Sequence, residues 1–432
     1  MDNVVTLFEY ESKEFDISNR DSYKDGKLIL TDRTIEELKK FSERNVIELK
    51  WKVIKALNYV GVIKVGDITI EIYPKFLKEG NEEKLKEIAS KNLLKMLEYT
   101  QKWRFKEIDY TSLEKVGHSF FEVLIYLFAK NLLSLLKVKQ NFEYIRKREN
   151  LRFVKGRIDF NKYTNPARFH IIPCIHYERQ LDNILNRTLK YTSYLMSKIV
   201  KNKDTYRMLR KIINLLEPVT LTPVTIQQVK SLTFNRLNAD FKPFIDICRI
   251  FLEGSTLTLQ ASRIETFSLL IPMEHLFEQF IVSVIQREEL HKEVFGNDAR
   301  LEVQKSIGYL IEKDGKRMAE MRPDVIVRVG KKTIIVDIKY KLLNPEDRKL
   351  GISQQDLYQI YTYCREINAK KALLLYPGGL SEITDIETPF KLGKERDIEL
   401  YMGTVPLSLD LVNEYKKFVE ELKLVLGCFT SL

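Results

Sequence analysis

Residues 321–339 read Met321-Arg322-Pro323-Asp324-Val325-Ile326-Val327-Arg328-Val329-Gly330-Lys331-Lys332-Thr333-Ile334-Ile335-Val336-Asp337-Ile338-Lys339. Two runs of β-branched residues flank Gly330-Lys331, a pair suited to a two-residue hairpin turn. That turn sets Val329 opposite Lys332 and carries the register back until Asp324 faces Asp337. Directly opposed side chains share a face with Cβ atoms roughly 4.5–5.5 Å apart, and Lys339, two positions on, joins them. Two carboxylates so close repel each other, which a divalent cation relieves. Mg²⁺, or Mn²⁺ in its place, would polarise a phosphodiester and orient the attacking water, with the lysine positioning that water or balancing charge. The plain alternative is a pair of exposed strand-end aspartates beside a surface lysine. It is disfavoured because both aspartates lie within strongly apolar runs, where an unpaired charge is costly.

The pattern around the hairpin extends this reading. Upstream, Pro272-Met273-Glu274-His275-Leu276-Phe277-Glu278 opens a helix with proline in its first turn, apolar at 273, 276, 277, 280, 281 and 284. Glu278 lies at the edge of that stripe, where it could reach a metal held by the hairpin; Glu274, one turn earlier, is its rival. Downstream, Ser353 can cap a helix in which Gln359 and Tyr363, four apart, share a face and could orient the lysine or a phosphate. Ala372-Leu373-Leu374-Leu375-Tyr376-Pro377 then reads as a central strand reached through that crossover helix. The expected catalytic set is Asp324, Asp337, Lys339, Glu278, Gln359 and Tyr363, with Asp324, Asp337, Glu278 and Ile338 as the metal-binding residues.

The first 80 residues alternate short apolar strands with charged turns; Gly66-Asp67 marks a hairpin whose second strand ends at Pro74. Apolar spacing of three and four predicts helices over 84–101 and 119–137, and a longer helical segment runs from about Leu181 to Leu252. Between them, 137–157 is the most basic stretch, with eight Lys or Arg interleaved by Phe142, Tyr144 and Phe153. It could follow a phosphate backbone, enter a protein pore, or be a solvated surface loop. Gly254-Ser255-Thr256 marks a boundary. The expected organisation is a β-rich N-terminal partner-binding domain over 1–160, a helical middle segment over 161–262, and a catalytic domain over 263–432. The fold class is α/β, α+β overall.

Composition limits the partners. Of 432 residues, 71 are Lys or Arg and 60 Asp or Glu, so the net charge of +11 favours polyanions, although a heat-adapted protein is also rich in both signs. The four cysteines, Cys174, Cys248, Cys364 and Cys428, are widely separated and signal neither zinc site nor disulfide framework. No signal peptide and no apolar run of membrane-spanning length is evident, so a soluble cytoplasmic protein with no membrane partner is expected. Gly330-Lys331-Lys332-Thr333 lacks the earlier glycine of a phosphate-binding loop, Val325 standing there, so the chain is expected to bind no nucleotide by itself. The five histidines show neither a metalloprotease spacing nor a nucleophile triad.

At Arg322-Pro323-Asp324, Asp337-Ile338-Lys339-Tyr340-Lys341, Leu276-Phe277-Glu278 and Asp356-Leu357-Tyr358-Gln359 with Tyr363, the chain resembles the McrC family, the nuclease subunits of McrBC restriction systems. The likeness continues upstream through Tyr59-Val60-Gly61-Val62-Ile63, Glu71-Ile72-Tyr73-Pro74-Lys75, Lys155-Gly156-Arg157-Ile158 and Asp182-Asn183-Ile184-Leu185-Asn186-Arg187. Ile338 stands where that family commonly has threonine. The resemblance implies a PD-(D/E)xK endonuclease with the αβββαβ core of restriction enzymes, cutting double-stranded DNA that carries modified cytosine. It further implies an N-terminal part that docks on a hexameric AAA+ GTPase resembling McrB and stimulates its hydrolysis. Arg322, Tyr340, Lys341, Arg146, Lys147, Arg148 and Arg157 are the candidate nucleic-acid or partner contacts. A non-catalytic adaptor of the same partner and a stand-alone repair nuclease are the competing readings.

Overall fold

The computed structural model describes residues 3–76, 81–100, 120–162, 170–254, 266–341, 343, 347, 349–378 and 389–427. The expected boundary at Ser255-Thr256, Cys428 and residues 102–118 fall outside them. Its compact units do not follow the three consecutive segments read from the sequence. One unit combines Met1–Arg104, Asp109–Val123 and Glu265–Leu432; the other comprises Phe105–Ile108 and Leu124–Ile264.

A shared sheet is the reason for the first grouping. Tyr59–Val65 and Ile68–Tyr73 form the expected hairpin, with Gly66 in the left-handed region at φ +54°. Val4–Phe8 adds in parallel on one side, and Thr266–Pro272, more than 190 residues downstream, pairs antiparallel on the other from Thr266↔Val65 to Pro272↔Tyr59. Gly61 permits that pairing: a Cβ on it would stand 1.9 Å from the Leu269 carbonyl oxygen. A second sheet of five strands, ordered Ser22–Lys24, Lys27–Leu30, Ser12–Ile17, Val53–Ala56 and Ile47–Lys50, completes the N-terminal part. It shares a core with the Asp32–Glu43 helix, which Thr31 caps.

Thr266–Pro272 runs straight into the Met273–Arg287 helix, so Pro272 closes the strand at the N-cap position rather than opening the first turn. A six-stranded sheet follows in the order Arg300–Val303, Val325–Val329, Lys332–Ile338, Lys371–Gly378, Ile398–Pro406 and Phe390–Leu392. Its first three strands are antiparallel, and the Gln354–Glu366 helix crosses over so that Lys371–Gly378 lies parallel to Lys332–Ile338. Burial on both faces explains why these central strands are continuously apolar instead of alternating. The hairpin register is the predicted one, Val329↔Lys332 through Val325↔Val336, with Gly330 at φ +57° as the first turn residue. The sequence had not suggested a separate exposed hairpin, Gly308–Lys313 with Lys316–Met321, between the first two strands.

The second unit is helical but not wholly so. The expected continuous helical segment divides into Ile184–Ile199, Lys203–Leu215, Ile226–Lys230 and Lys242–Gly254. The basic stretch is a strand rather than a loop: Glu143–Leu151 pairs with Ile172–Gln180, whose other edge carries Arg157–Ile158. Asp182 binds Arg187 through two hydrogen bonds, 2.6 and 2.8 Å, and accepts from Thr220, while Asn183 caps the Ile184–Ile199 helix. That motif fixes a helix start, and its Arg187 guanidinium holds the Asp182 carboxyl well below the usual range.

Candidate active site

Asp324 is the residue before the Val325–Val329 strand, and Asp337 the last but one of Lys332–Ile338. Asp337 is 1 % exposed and Asp324 5 %. The Asp324 Oδ2 accepts the Ile338 amide at 2.7 Å, which ties the open end of the hairpin together. Lys339 Nζ lies 2.8 Å from Asp337 Oδ2 and donates to Gln359 Oε1 at 3.0 Å. Gln359 in turn donates to the Tyr363 hydroxyl at 2.8 Å, so the Gln354–Glu366 helix presents both polar side chains toward the lysine.

Electrostatics reflects this crowding. Burial first, then the Glu278 carboxyl hydrogen-bonded beside it, push the Asp324 carboxyl far above its ordinary range. Burial and the Asp324 charge push Asp337 up to about 7. Burial works against the Lys339 ammonium, but Asp337, Asp324 and Asp356 outweigh it and raise its pKa. Asp337 Oδ2 has that ammonium nearby yet no well-directed hydrogen bond, leaving part of its acceptor capacity unused in a buried place.

A pocket of about 340 Å³ opens against this cluster, lined by Pro272, Glu274, His275, Glu278, Ile338 and Lys339. Glu278 and Glu274 therefore both reach its wall; His275, which sequence reading passed over, lies 3.5 Å from Glu278. A larger cavity, about 580 Å³, sits at the other end of the strands among Lys331, Lys332, Lys370 and Lys371. The smaller one opens beside the buried Asp324 and Asp337, the larger one beside lysines. Among the described residues no three His, Cys, Asp or Glu side chains already form a complete metal cage. The donor set nonetheless suits a hard divalent cation: oxygen ligands on carboxylates whose charged forms burial first and neighbouring carboxylates second disfavour, with an underused buried oxygen.

The other candidates separate. Tyr340 is not a surface contact: it is 3 % exposed and its hydroxyl donates to Glu9. Lys341 forms a fork with Asp356, 2.9 and 2.8 Å. Arg322 pairs with Glu320 at the surface. Arg146 and Arg148 lie on one face of the Glu143–Leu151 strand, exposed, with Lys147 on the opposite face against Glu178; Arg157 is exposed on its own edge strand. Sequence reading assigned no role to Lys75, which is buried with its Nζ 3.1 Å from the Tyr340 carbonyl oxygen.

A family profile described as McrBC 5-methylcytosine restriction system component matches residues 54–377. The chain is 23 % identical over 306 residues to the Escherichia coli K12 type IV methyl-directed restriction enzyme EcoKMcrBC, spanning 67 % of this chain and 86 % of that protein. Its fold resembles a chain of the Thermococcus gammatolerans assembly of McrB AAA+ hexamers with bound McrC: TM-score 0.72, 19 % identity, covering 98 % of this chain and 99 % of that one. A chain of the T. gammatolerans McrBC complex matches with TM-score 0.54 and 22 % identity, over 66 % of this chain and 88 % of that one. Since the profile covers well over half of its length, the chain belongs to the family of McrBC 5-methylcytosine restriction system components.

Proposed function

We propose that this chain is the McrC-type DNA-cutting subunit of such a system, a PD-(D/E)xK endonuclease that hydrolyses phosphodiesters in DNA bearing modified cytosine. The supporting observation is the meeting of buried Asp324, Asp337 and Lys339 at a pocket that Glu278 also lines. Asp324, Asp337 and Glu278 are the side chains that would hold Mg²⁺. When bound, that ion supplies charge neutralisation at the scissile phosphate. Lys339, fixed between Asp337 and Gln359, places an ammonium where the attacking water and the developing phosphorane charge meet. Water oxygen then bonds to phosphorus and gives up a proton to solvent as the ester P–O bond breaks, and the leaving oxygen takes a proton from solvent. Gln359 and Tyr363 orient Lys339.

In the T. gammatolerans assembly that this fold resembles, McrC is bound to McrB AAA+ hexamers. By that similarity this chain docks on a hexameric AAA+ GTPase and stimulates its hydrolysis, the exposed Arg146, Arg148 and Arg157 being the charged residues offered for that contact. Plasmid cleavage with Mg²⁺, partner and GTP tests both halves. Asp337→Ala and Lys339→Ala are each expected to lower the rate by at least about a hundredfold. Cleavage that survives both substitutions overturns the catalytic assignment. Efficient cutting without any partner removes the subunit reading alone.

A further inference from the structure

One N-terminal sheet leads to both walls of the pocket. Its Thr266–Pro272 strand continues into the helix bearing Glu274 and Glu278, and the Met273 amide is tied back to the Asn58 carbonyl at 3.2 Å. Its Ile68–Tyr73 strand runs on through Pro74 to Lys75, whose side chain crosses to the segment just after Lys339. There the Lys75 ammonium donates to the Tyr340 carbonyl oxygen at 3.1 Å and lies 4.1 Å from the Tyr340 ring centroid and 4.8 Å from that of Tyr10. Glu9, fully buried, accepts from both the Lys75 amide and the Tyr340 hydroxyl. The Tyr340 ring also packs against Phe76 at 6.4 Å and against Phe277 at 5.7 Å, and Phe277 is the immediate neighbour of Glu278.

Burying an ammonium and a carboxylate is costly unless each is fully partnered, and more so when one partner is lost. An apolar pair would hold two sheets together as well and without that cost. What the polar pair adds is direction: a cation aimed at one carbonyl and a carboxylate aimed at one hydroxyl, both on the residue next to Lys339. We infer that Lys75 and Glu9 are positioning residues for the cleavage reaction, fixing the Lys339-Tyr340 segment at a set distance from Glu278 so that the two walls of the site stay in register. This rests on the nuclease reading above. Neither residue touches the reacting atoms; both act through Tyr340.

The test uses the full chain with its AAA+ partner, GTP and Mg²⁺, alongside hydrogen exchange on the chain alone. Lys75→Met is expected to lower the cleavage rate constant by about tenfold to a hundredfold, the cost of a small misplacement, with the DNA concentration for half-maximal rate unchanged. The amides of Ile338 and Lys339, now bonded to Asp324 and to the Leu375 carbonyl, should exchange faster, while protection in the N-terminal sheet stays as it was. Tyr340→Phe, which keeps the ring but drops the Glu9 bond, should shift the same two readouts by less, and Lys75→Arg should restore part of both. Wild-type rate and protection in Lys75→Met overturn the inference. So does loss of protection throughout the unit, since Lys75 would then only hold the fold. If the wild type does not cut DNA, the nuclease reading fails, and local exchange alone decides whether Lys75 fixes this segment.

Discussion

At the residue scale the site is a problem of like charge, and its pH behaviour follows. Asp337 and Asp324 titrate above their unfolded values. Their protonated forms are therefore favoured by folding, and that stabilisation is whole below about pH 4 and is lost as pH rises through about 7 for Asp337 and about 8 for Asp324. The metal-free chain should accordingly lose thermal stability across that window, and Mg²⁺ should raise its melting temperature more at pH 8 than at pH 5. Differential scanning fluorimetry checks this; an equal Mg²⁺ effect at both pH values contradicts metal binding by this pair. Glu278→Gln should weaken the Mg²⁺ dependence of cleavage by about tenfold or more, whereas Glu274→Gln, whose side chain is offset by a turn, should do so much less. A reversed order would make Glu274 the third metal-binding residue.

At the element scale, two glycines hold the geometry for different reasons. Gly330 occupies a left-handed turn with open space around it, so only backbone strain opposes a side chain. Gly330→Asn should be nearly neutral and Gly330→Val should cost about 1–2 kcal/mol, read from urea unfolding. Gly61 instead has the Leu269 carbonyl where a Cβ would go. Gly61→Ala must part the strand that delivers the Glu278 helix, and a loss of about 1–3 kcal/mol with reduced cleavage is expected. If Gly61→Ala keeps full stability, the pairing of Tyr59–Val65 with Thr266–Pro272 is not as described.

For the whole molecule, the consequence is that the C-terminal segment shares one sheet and one compact unit with the N-terminal part. Thr266–Pro272 pairs along its whole length with Tyr59–Val65, and Asn92 donates to the Leu407 and Leu409 carbonyls, 3.0 and 2.8 Å, and accepts from the Leu411 amide. A fragment of residues 263–432 leaves those groups unpaired and bares the strand edge. Expressed alone, it should aggregate or lack cooperative unfolding in circular dichroism. A monomeric fragment with a sharp transition would argue against the shared unit.

Local chemistry was legible in the sequence. The Gly330 turn, the period of two, the serine cap at Ser353 and the four-residue spacing of Gln359 and Tyr363 are set by neighbours in the chain, and each has its structural counterpart. Hence the hairpin register by itself brings Asp324, Asp337 and Lys339 to one end and one face. Tyr340 was misassigned because a tyrosine in a basic run looks alike whether its ring meets solvent or Glu9, 331 residues away. Likewise the break after Gly254 looked like a domain end, although the next described strand joins the N-terminal sheet. Periodicity reports which face of an element is buried but not what buries it. The partners of Lys75 and Glu9 and the strand that carries Glu278 into place were decided only when distant segments packed together.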